Sequence, residues 1–424
     1  MFQTIITFII VFSILVIIHE FGHFYFAKKA GILVREFAIG MGPKIFSHRK
    51  NGTTYTIRML PIGGYVRMAG IGDEDTELKP GMPLNITLDE VQQVNQIDLS
   101  NKQHLHAVPI ELLEADLEQA LFIKGIIPGS SEPVTYAVKR DATIIEADGT
   151  EVQIAPIDVQ YQSAPLLKRM MTNFAGPMNN FILGIAVFIT IAFVQGGVTV
   201  NDNRLGEIQP DSPAETAGLR VDDKILAVNG EEIAEWTELV ASIQANPGNE
   251  ITLSVSTDGQ EARDVLITPD SKTDEQGNDY GLIGVAPPMD RSLMAKISYG
   301  FKEFWVIATS IFGLVFSMFR TGFQADSFGG PVAIYAATEQ VVDYGFLSVL
   351  SFLAYLSINL GVVNLLPIPA LDGGKLLLNV VEGIRGKPLD PEKEGIITAI
   401  GMGLLLLLMV IVTWNDIQRF FFGQ

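Results

Sequence analysis

His19-Glu20-Phe21-Gly22-His23 is the densest group of side chains in the sequence able to do chemistry. Two histidines four apart on a helix project from one face, so their imidazoles can share a metal, while Glu20 on the neighbouring face can act as general base on a water. That set suits metal-assisted hydrolysis. The surrounding segment, Phe2 to Ala27, carries no other charge. Ionisable groups in an apolar helix are costly, and a metal with its hydrogen bonds would offset the cost. The competing reading is a pair of neutral histidines bonded to a neighbouring helix. Catalytic zinc takes three protein ligands and leaves a position open. The chain has no cysteine, and His48, His104 and His106 lie in polar segments, so a carboxylate is expected as the third ligand. Asn364-Leu365-Leu366-Pro367-Ile368-Pro369-Ala370-Leu371-Asp372-Gly373-Gly374 offers one. Its prolines break a helix and leave Asp372 on irregular backbone, tolerated at membrane depth only where it lines a cavity. Taken alone, Asp372-Gly373 is equally a turn at a helix end.

The elements that must position these groups follow from composition. The chain has 424 residues, 48% of them hydrophobic, a mean hydropathy of +0.30 and a net charge of −19. A soluble chain this acidic is normally less apolar, and disorder requires low hydrophobicity, so part of the chain belongs in lipid. The acidity excludes a nucleic-acid surface. A membrane core takes about 20 helical residues. Four segments qualify: Phe2 to Ala27, Phe174 to Val194, Phe346 to Leu366 and Ile396 to Thr413. No basic region precedes the first and no small-residue cleavage pattern follows it, so it reads as a retained span. Residues 28–67 hold eight Lys/Arg against one Glu, which marks their side as cytoplasmic. The apolar run from Phe304 to Phe319 is short for a span and reads as a helix lying at the outer interface. Counted as a span, it would carry Asp372 to the side of the membrane opposite His19.

Two insertions hold the acidity. Residues 71–165 carry 5 Lys/Arg and 17 Asp/Glu, net −12, and residues 196–290 carry 5 and 19, net −14. In the first, alternating residues on either side of Asp148-Gly149 form a hairpin signal. The second runs from a strand at Leu205 to Ile208 through a short helix, the Gly218 stop and Asp223-Lys224-Ile225-Leu226-Ala227-Val228-Asn229-Gly230. That order resembles a bacterial PDZ domain. The resemblance implies a groove taking an extended peptide or carboxyl terminus by strand addition, with Gly281, Leu282, Ile283 and Gly284 as its carboxylate loop.

The two chemical motifs together resemble the site-2 protease family of M50-type intramembrane zinc metalloproteases. His-Glu-x-x-His matches His19, Glu20 and His23; Asn-x-x-Pro-x-Pro-x-Leu-Asp-Gly matches Asn364, Pro367, Pro369, Leu371, Asp372 and Gly373. Pro61-Ile62-Gly63-Gly64-Tyr65-Val66 resembles the family's membrane-re-entrant β element, and Gly176-Pro177-Met178-Asn179-Asn180 its second-helix motif. The single PDZ-like domain and the large first insertion are similar to the Gram-positive RasP/Eep form of the RseP/RasP group. The resemblance implies one zinc ion per chain on His19, His23 and Asp372, with Glu20 as catalytic base. It places substrate at Asn364, Pro367, Asn180 and a strand edge at Gly63, Gly64, Tyr65 and Val66. It implies cleavage of the transmembrane segments of single-span proteins such as anti-sigma factors or remnant signal peptides.

The expected architecture is a polytopic α-helical membrane protein of about four transmembrane helices, with a membrane-associated β element and an inserted α/β PDZ-like domain. Residues 1–70 would hold the first span, the metal motif and the β element, and 71–165 an acidic, partly β cytoplasmic insertion. The second span would occupy 166–195, an extracytoplasmic PDZ-like domain 196–290, an interfacial helical segment 291–345, and the last two spans 346–424. The expected location is the bacterial cell membrane, with the lipid bilayer and membrane substrates as partners and the active site toward the cytoplasm.

Overall fold

The computed structural model describes all residues except 72–77, 101–106, 131, 258–259, 275–276, 323–328 and 422–424. Two compact units divide the chain: Met1–Val187 with Glu303–Gln424, and Phe188–Lys302. The first unit starts with α1 (Phe2–Ala30), stopped by Gly31 in the left-handed region. Lys28 and Lys29 occupy its last turn, where the helix dipole favours cations. Two long strands follow, β1 (Val34–Lys50) and β2 (Thr53–Met68), each serving as two. Residues 34–39 pair with 54–57 on one side and 64–68 on the other, and 44–50 pair with 53–58. Gly40, Gly42 and Gly63 take positive φ at the bends, a conformation open to residues without a Cβ. The strand 64–68 therefore forms an edge, and among the described residues no strand pairs beyond it.

The 71–165 insertion contains β3 (Pro83–Leu88), β4 (Val94–Asp98), β5 (Val108–Asp116), β6 (Phe122–Ile126), β7 (Pro133–Ile145) and β8 (Glu151–Gln153). Their order is β4-β3-β5-β6-β7-β8, and β4 also pairs in parallel with β7, which closes β3 to β7 into a small barrel. Closure removes sheet edges and encloses Ile86, Ile97, Ile110, Leu112, Ile123 and Ile144. The Asp148-Gly149 turn joins β7 to β8, which pair from Thr143 with Gln153 to Ile145 with Glu151. His104 and His106 lie outside the described residues.

Helix α2 (Leu166–Val194) contains Pro177. The second unit then builds β9 (Val198–Thr199), α3 (Pro213–Thr216), β10 (Lys224–Val228), β11 (Glu231–Glu232), α4 (Trp236–Gln244), β12 (Ile251–Ser256), β13 (Arg263–Ile267), β14 (Asp270–Thr273), β15 (Asp279–Leu282) and β16 (Met289–Asp290). Its main sheet runs β11-β10-β12-β13, and alternate residues of β12 enter a core with Leu205, Ile225 and Leu239. Ser212 caps α3 through the amide of Glu215, and Asn229-Gly230, both at positive φ, make the tight turn from β10 to β11. Asp223 is fully buried; its carboxylate accepts from Arg220 N at 2.9 Å and Thr257 Oγ1 at 2.6 Å.

The chain ends in α5 (Leu293–Thr321), α6 (Pro331–Asp343), α7 (Phe346–Asn364), α8 (Asp372–Arg385) and α9 (Pro391–Phe421). Five described helices are long and apolar enough to cross a membrane: Phe2–Ala30, Leu166–Val194, Leu293–Met318, Phe346–Asn364 and Glu392–Phe420. The short run expected at 304–319 is thus part of a helix of 29 residues. Lys296, Lys302 and Glu303 interrupt its apolar count without interrupting its backbone. The length objection to a fifth span falls with it, because ~1.5 Å per residue carries such a helix past the ~30 Å of a bilayer core. Helix α6, not anticipated, packs against α1, α7 and α9, and Asp416 of α9 accepts from its Ala333 amide at 3.0 Å.

Candidate metal centre

Spacing on α1 sets His19 and His23 on one buried face, and the start of α8 brings Asp372 to them. His19 Nε2 lies 3.2 Å from His23 Nε2, and Asp372 Oδ2 lies 3.2 and 3.3 Å from the two. Asp372 Oδ2 is buried without a hydrogen-bond partner. Three lone-pair atoms so placed leave a common point roughly 1.9 Å from each, close to the ~2.0–2.1 Å of zinc–nitrogen and zinc–oxygen bonds. The donor set therefore fits a zinc-sized cation. Among the described residues this is the one group of three such ligands gathered within 4.8 Å.

Helix α2 stands behind both rings. His23 Nδ1 lies 2.8 Å from the Thr172 carbonyl, so Nδ1–H donates there and Nε2 keeps its lone pair for a metal. The fully buried Asn180 sets Nδ2, a donor, 3.3 Å from His19 Nδ1, which keeps the ring proton on Nε2. With the amide turned over, Asn180 Oδ1, which has no hydrogen-bond partner, accepts from Nδ1–H and leaves Nε2 its lone pair for a metal. Asn180 is itself fixed, its carbonyl accepting from Ser357 Oγ of α7 at 2.8 Å, and Asn179 Nδ2 donates to Ile18 O of α1 at 3.1 Å. A Cβ on Gly176 would overlap His23 Nε2 and crowd His19 Nε2; one on Gly22 would strike the Ala175 carbonyl. Only glycine keeps the space in front of the ligand atoms open.

The carboxylate has its own support. After α7 the loop 365–371 turns through Ala370, at φ 78, and Asp372 is the first residue of α8 rather than part of an irregular stretch. Helix geometry suits it better than loop backbone, since a first-turn carboxylate complements the helix dipole. Gly373 and Gly374 lie so close to the carbonyls of Leu365, Leu366 and Ile368 that a Cβ would collide with them. Further along α8, Glu382 pairs through both oxygens with Arg169 of α2. Asn173 Nδ2 donates to Asn379 Oδ1 at 2.8 Å and to the Tyr161 hydroxyl at 2.7 Å. Burial pushes the Tyr161 phenol up to about 12. Thr172, which anchors His23, sits between Arg169 and Asn173 on the clamped stretch of α2.

The family model for Peptidase family M50 matches residues 7–408. The chain belongs to peptidase family M50. An Enterococcus faecalis protein named probable protease eep is 54% identical over 424 residues, 99% of this chain and 100% of the relative. A Lactococcus lactis relative whose name describes a zinc metalloprotease is 48% identical over 435 residues, again 99% and 100%. A crystallised PDZ domain of an SdrC-like protein from Listeria monocytogenes aligns at 20% identity over 21% of this chain and 90% of its own, with a TM-score of 0.18.

The other expected site residues of this M50 peptidase are spread among several settings. Asn364 closes α7 with its amide donating to Leu360 O at 2.9 Å, and Pro367 is exposed in the following loop. Asn180, expected at substrate, is shut away behind His19, because α2, α1 and α7 all close over it. A Cβ on Gly64 would lie 2.7 Å from Ala38 O and 3.2 Å from Val16 Cγ1, so glycine lets the edge strand sit close against α1 one turn before Glu20. Tyr65 is occupied: its hydroxyl donates to Glu36 Oε2 at 2.8 Å, and burial with that carboxylate pushes the phenol up. In the second unit Ile283 points into the core and Gly281 packs on the Ile243 carbonyl of α4, so neither presents a side chain to a groove. Gly284 turns at φ 77 beside Ser212, and Leu282 is exposed. Sequence reasoning named Gly176 within the second-helix motif without a role of its own, and passed over Thr172. A Gly-Pro pair inside an apolar helix was the available signal for the first; a backbone carbonyl leaves none for the second.

Proposed function

We propose that this chain is a zinc metalloendopeptidase that cleaves transmembrane segments of single-span membrane proteins, such as anti-sigma factors or remnant signal peptides. The observation that carries the reading is the convergence of His19 and His23, on an otherwise uncharged helix, with Asp372 of α8. These three side chains would hold the ion. Bound there, zinc supplies a Lewis acid for the scissile carbonyl and makes a water acidic enough to deprotonate near neutral pH. Glu20 is beside this centre, in the electrostatic reach of both histidines, Asp372 and Lys375. It takes the water's proton and later gives it to the leaving amine. The Thr172 carbonyl holds His23 in the orientation that presents Nε2, and Asn180, with Oδ1 turned to His19 Nδ1–H, would do the same for the other ring.

A helical substrate hides its peptide bonds, so it must be held extended before attack. The edge 64–68 offers main-chain groups for such a strand, with Gly63 at its bend and Gly64 holding it against α1; Val66 packs inward. Asn364 and Pro367, on the approach to Asp372, would contact the unwound segment. The membrane arrangement is one with both termini and the PDZ-like unit outside, the barrel and the active site toward the cytoplasm. Helix α6, 13 residues and about 20 Å long, is too short to cross the ~30 Å core alone. Packed against α1, α7 and α9, it supports a return of the chain within the membrane after α5, which keeps Asp372 on the side of His19. The exposed Leu282 and its loop would meet a peptide or carboxyl terminus.

Purified protein reconstituted in liposomes with a tagged single-span substrate tests the reading. Cleavage should require a metal that a chelator removes, and Glu20→Gln should abolish it while zinc stays bound. Cleavage that persists in that variant sinks the mechanism.

A further inference from the structure

The sheet that carries the edge strand is held on two faces. On one, Phe24 of α1 packs against Phe37 and Tyr55, with ring centroids 5.4 and 6.0 Å apart. On the other, Glu36 is buried at the centre, accepting from Thr56 Oγ1 at 2.6 Å, Arg58 at 2.8 Å and Tyr65 at 2.8 Å. One carboxylate thus ties three neighbouring stretches of sheet together, the edge included.

Over this polar face lies the turn between β7 and β8. Glu146 meets Arg67 at 2.6 Å, both side chains being about nine-tenths buried, and Asp148 meets Arg58 at 3.5 Å. Arg35 Nε donates to the Gln153 carbonyl at 2.9 Å, and Thr54 Oγ1 donates to that of Glu151. These cations belong to the basic stretch read from sequence as a membrane-side flank; several instead pair with the acidic insertion. Burial separates the contacts that matter from those that do not. The pair Arg49–Glu151, a third exposed, contributes little. Removing Glu146 would take a 2.6 Å ion pair away from Arg67, a largely buried cation beside the edge strand, a costly change.

We propose that the inserted barrel is the positioning element of the protease: through Glu146 and Asp148 its β7–β8 turn holds Arg67 and Arg58, and with them the edge 64–68, in the geometry that receives the unwound substrate. Glu146 and Asp148 are positioning residues; neither touches the ligand set. The inference rests on the reading above that this edge takes the substrate. It assigns the insertion a role in capturing substrate and none in the hydrolytic step.

The test uses the full chain in liposomes with a single-span substrate carrying a photo-reactive residue beside its cleavage site. Glu146→Gln and Asp148→Asn should each raise KM, about tenfold for the buried pair, with kcat and zinc content within about twofold of the parent, the signature of lost binding shared by ground and transition states. The exchange Arg67→Glu with Glu146→Arg should recover most of the loss. In a Glu20→Gln background, adducts to peptides spanning 60–68 should fall about tenfold with Glu146→Gln, a change in binding read without turnover. Unchanged KM and adduct yield would overturn the proposal, as would a fall in kcat and zinc content at constant KM. If the parent cleaves but forms no adduct on 60–68, the strand-edge reading fails and the brace with it. Adducts present but indifferent to Glu146 sink the brace alone. Asp148, nearly half exposed, supplies a variant whose folding is not in question.

Discussion

At Gly176 one added carbon decides whether a metal fits. Its Cβ would occupy the space in front of both histidine nitrogens, against helix backbone that has no room to retreat. Gly176→Ala should therefore lower zinc per chain by about tenfold or more, on the scale of changes to groups that orient metal ligands. Gly403→Ala, where nothing lies within 4 Å, should leave it unchanged. Metal analysis of the purified variants decides this, and a Gly176→Ala protein with full zinc would show that the wall can move. Asp372→Asn should also lose zinc, because the amide replaces an anionic oxygen with a neutral one at a site already holding two neutral rings. His19, Glu20, His23 and Asp372, the proposed ligands and base, stood out in the sequence because their chemistry lies in side-chain type and spacing. Gly176 and Thr172 contribute, respectively, the lack of a side chain and a carbonyl, which every residue has.

Between elements, the clamp from α2 to α8 carries the most consequence for the site. Arg169, Asn173, Asn379 and Glu382 lock the helix that begins at Asp372 onto the helix that anchors His23. Breaking a buried pair of this kind by removing one partner costs about 3–5 kcal/mol. Arg169→Met should therefore lower the thermal midpoint followed by helix circular dichroism in detergent, and weaken zinc retention with it. Tyr161 adds a pH dependence. Its phenol ionises near 10 in an unfolded chain and near 12 when folded, so the folded form holds the proton more tightly. The stability this contributes is complete below pH 10 and is lost as pH rises toward 12. Tyr161→Phe should remove that alkaline step from the unfolding profile; an unaltered profile would assign the step elsewhere. None of these pairings was visible in advance, because residues some 200 positions apart meet only after both helices have packed.

For the whole molecule, the net charge of −19 reflects two acidic insertions in an otherwise mildly cationic chain. The absence of cysteine gives a clean background for mapping sides. A cysteine at the exposed Glu231 of the second unit should react with an impermeant maleimide in intact cells, and one at the exposed Glu114 of the barrel only after lysis. The reverse pattern would invert the arrangement proposed for both. What the sequence by itself determined is local: apolar length, the i, i+4 face of His19 and His23, the Asp148-Gly149 and Asn229-Gly230 turns, and the Pro-rich approach to Asp372. Each depends on a few consecutive residues and on backbone geometry that repeats wherever they occur. Only the tertiary structure decided that α5 is a full-length helix, that α6 exists between α5 and α7, that five strands of the first insertion close into a barrel, and that its acidic turn meets the basic sheet. Those outcomes depend on which distant surfaces come together, and side-chain complementarity of that kind is written nowhere in the order of neighbours along the chain.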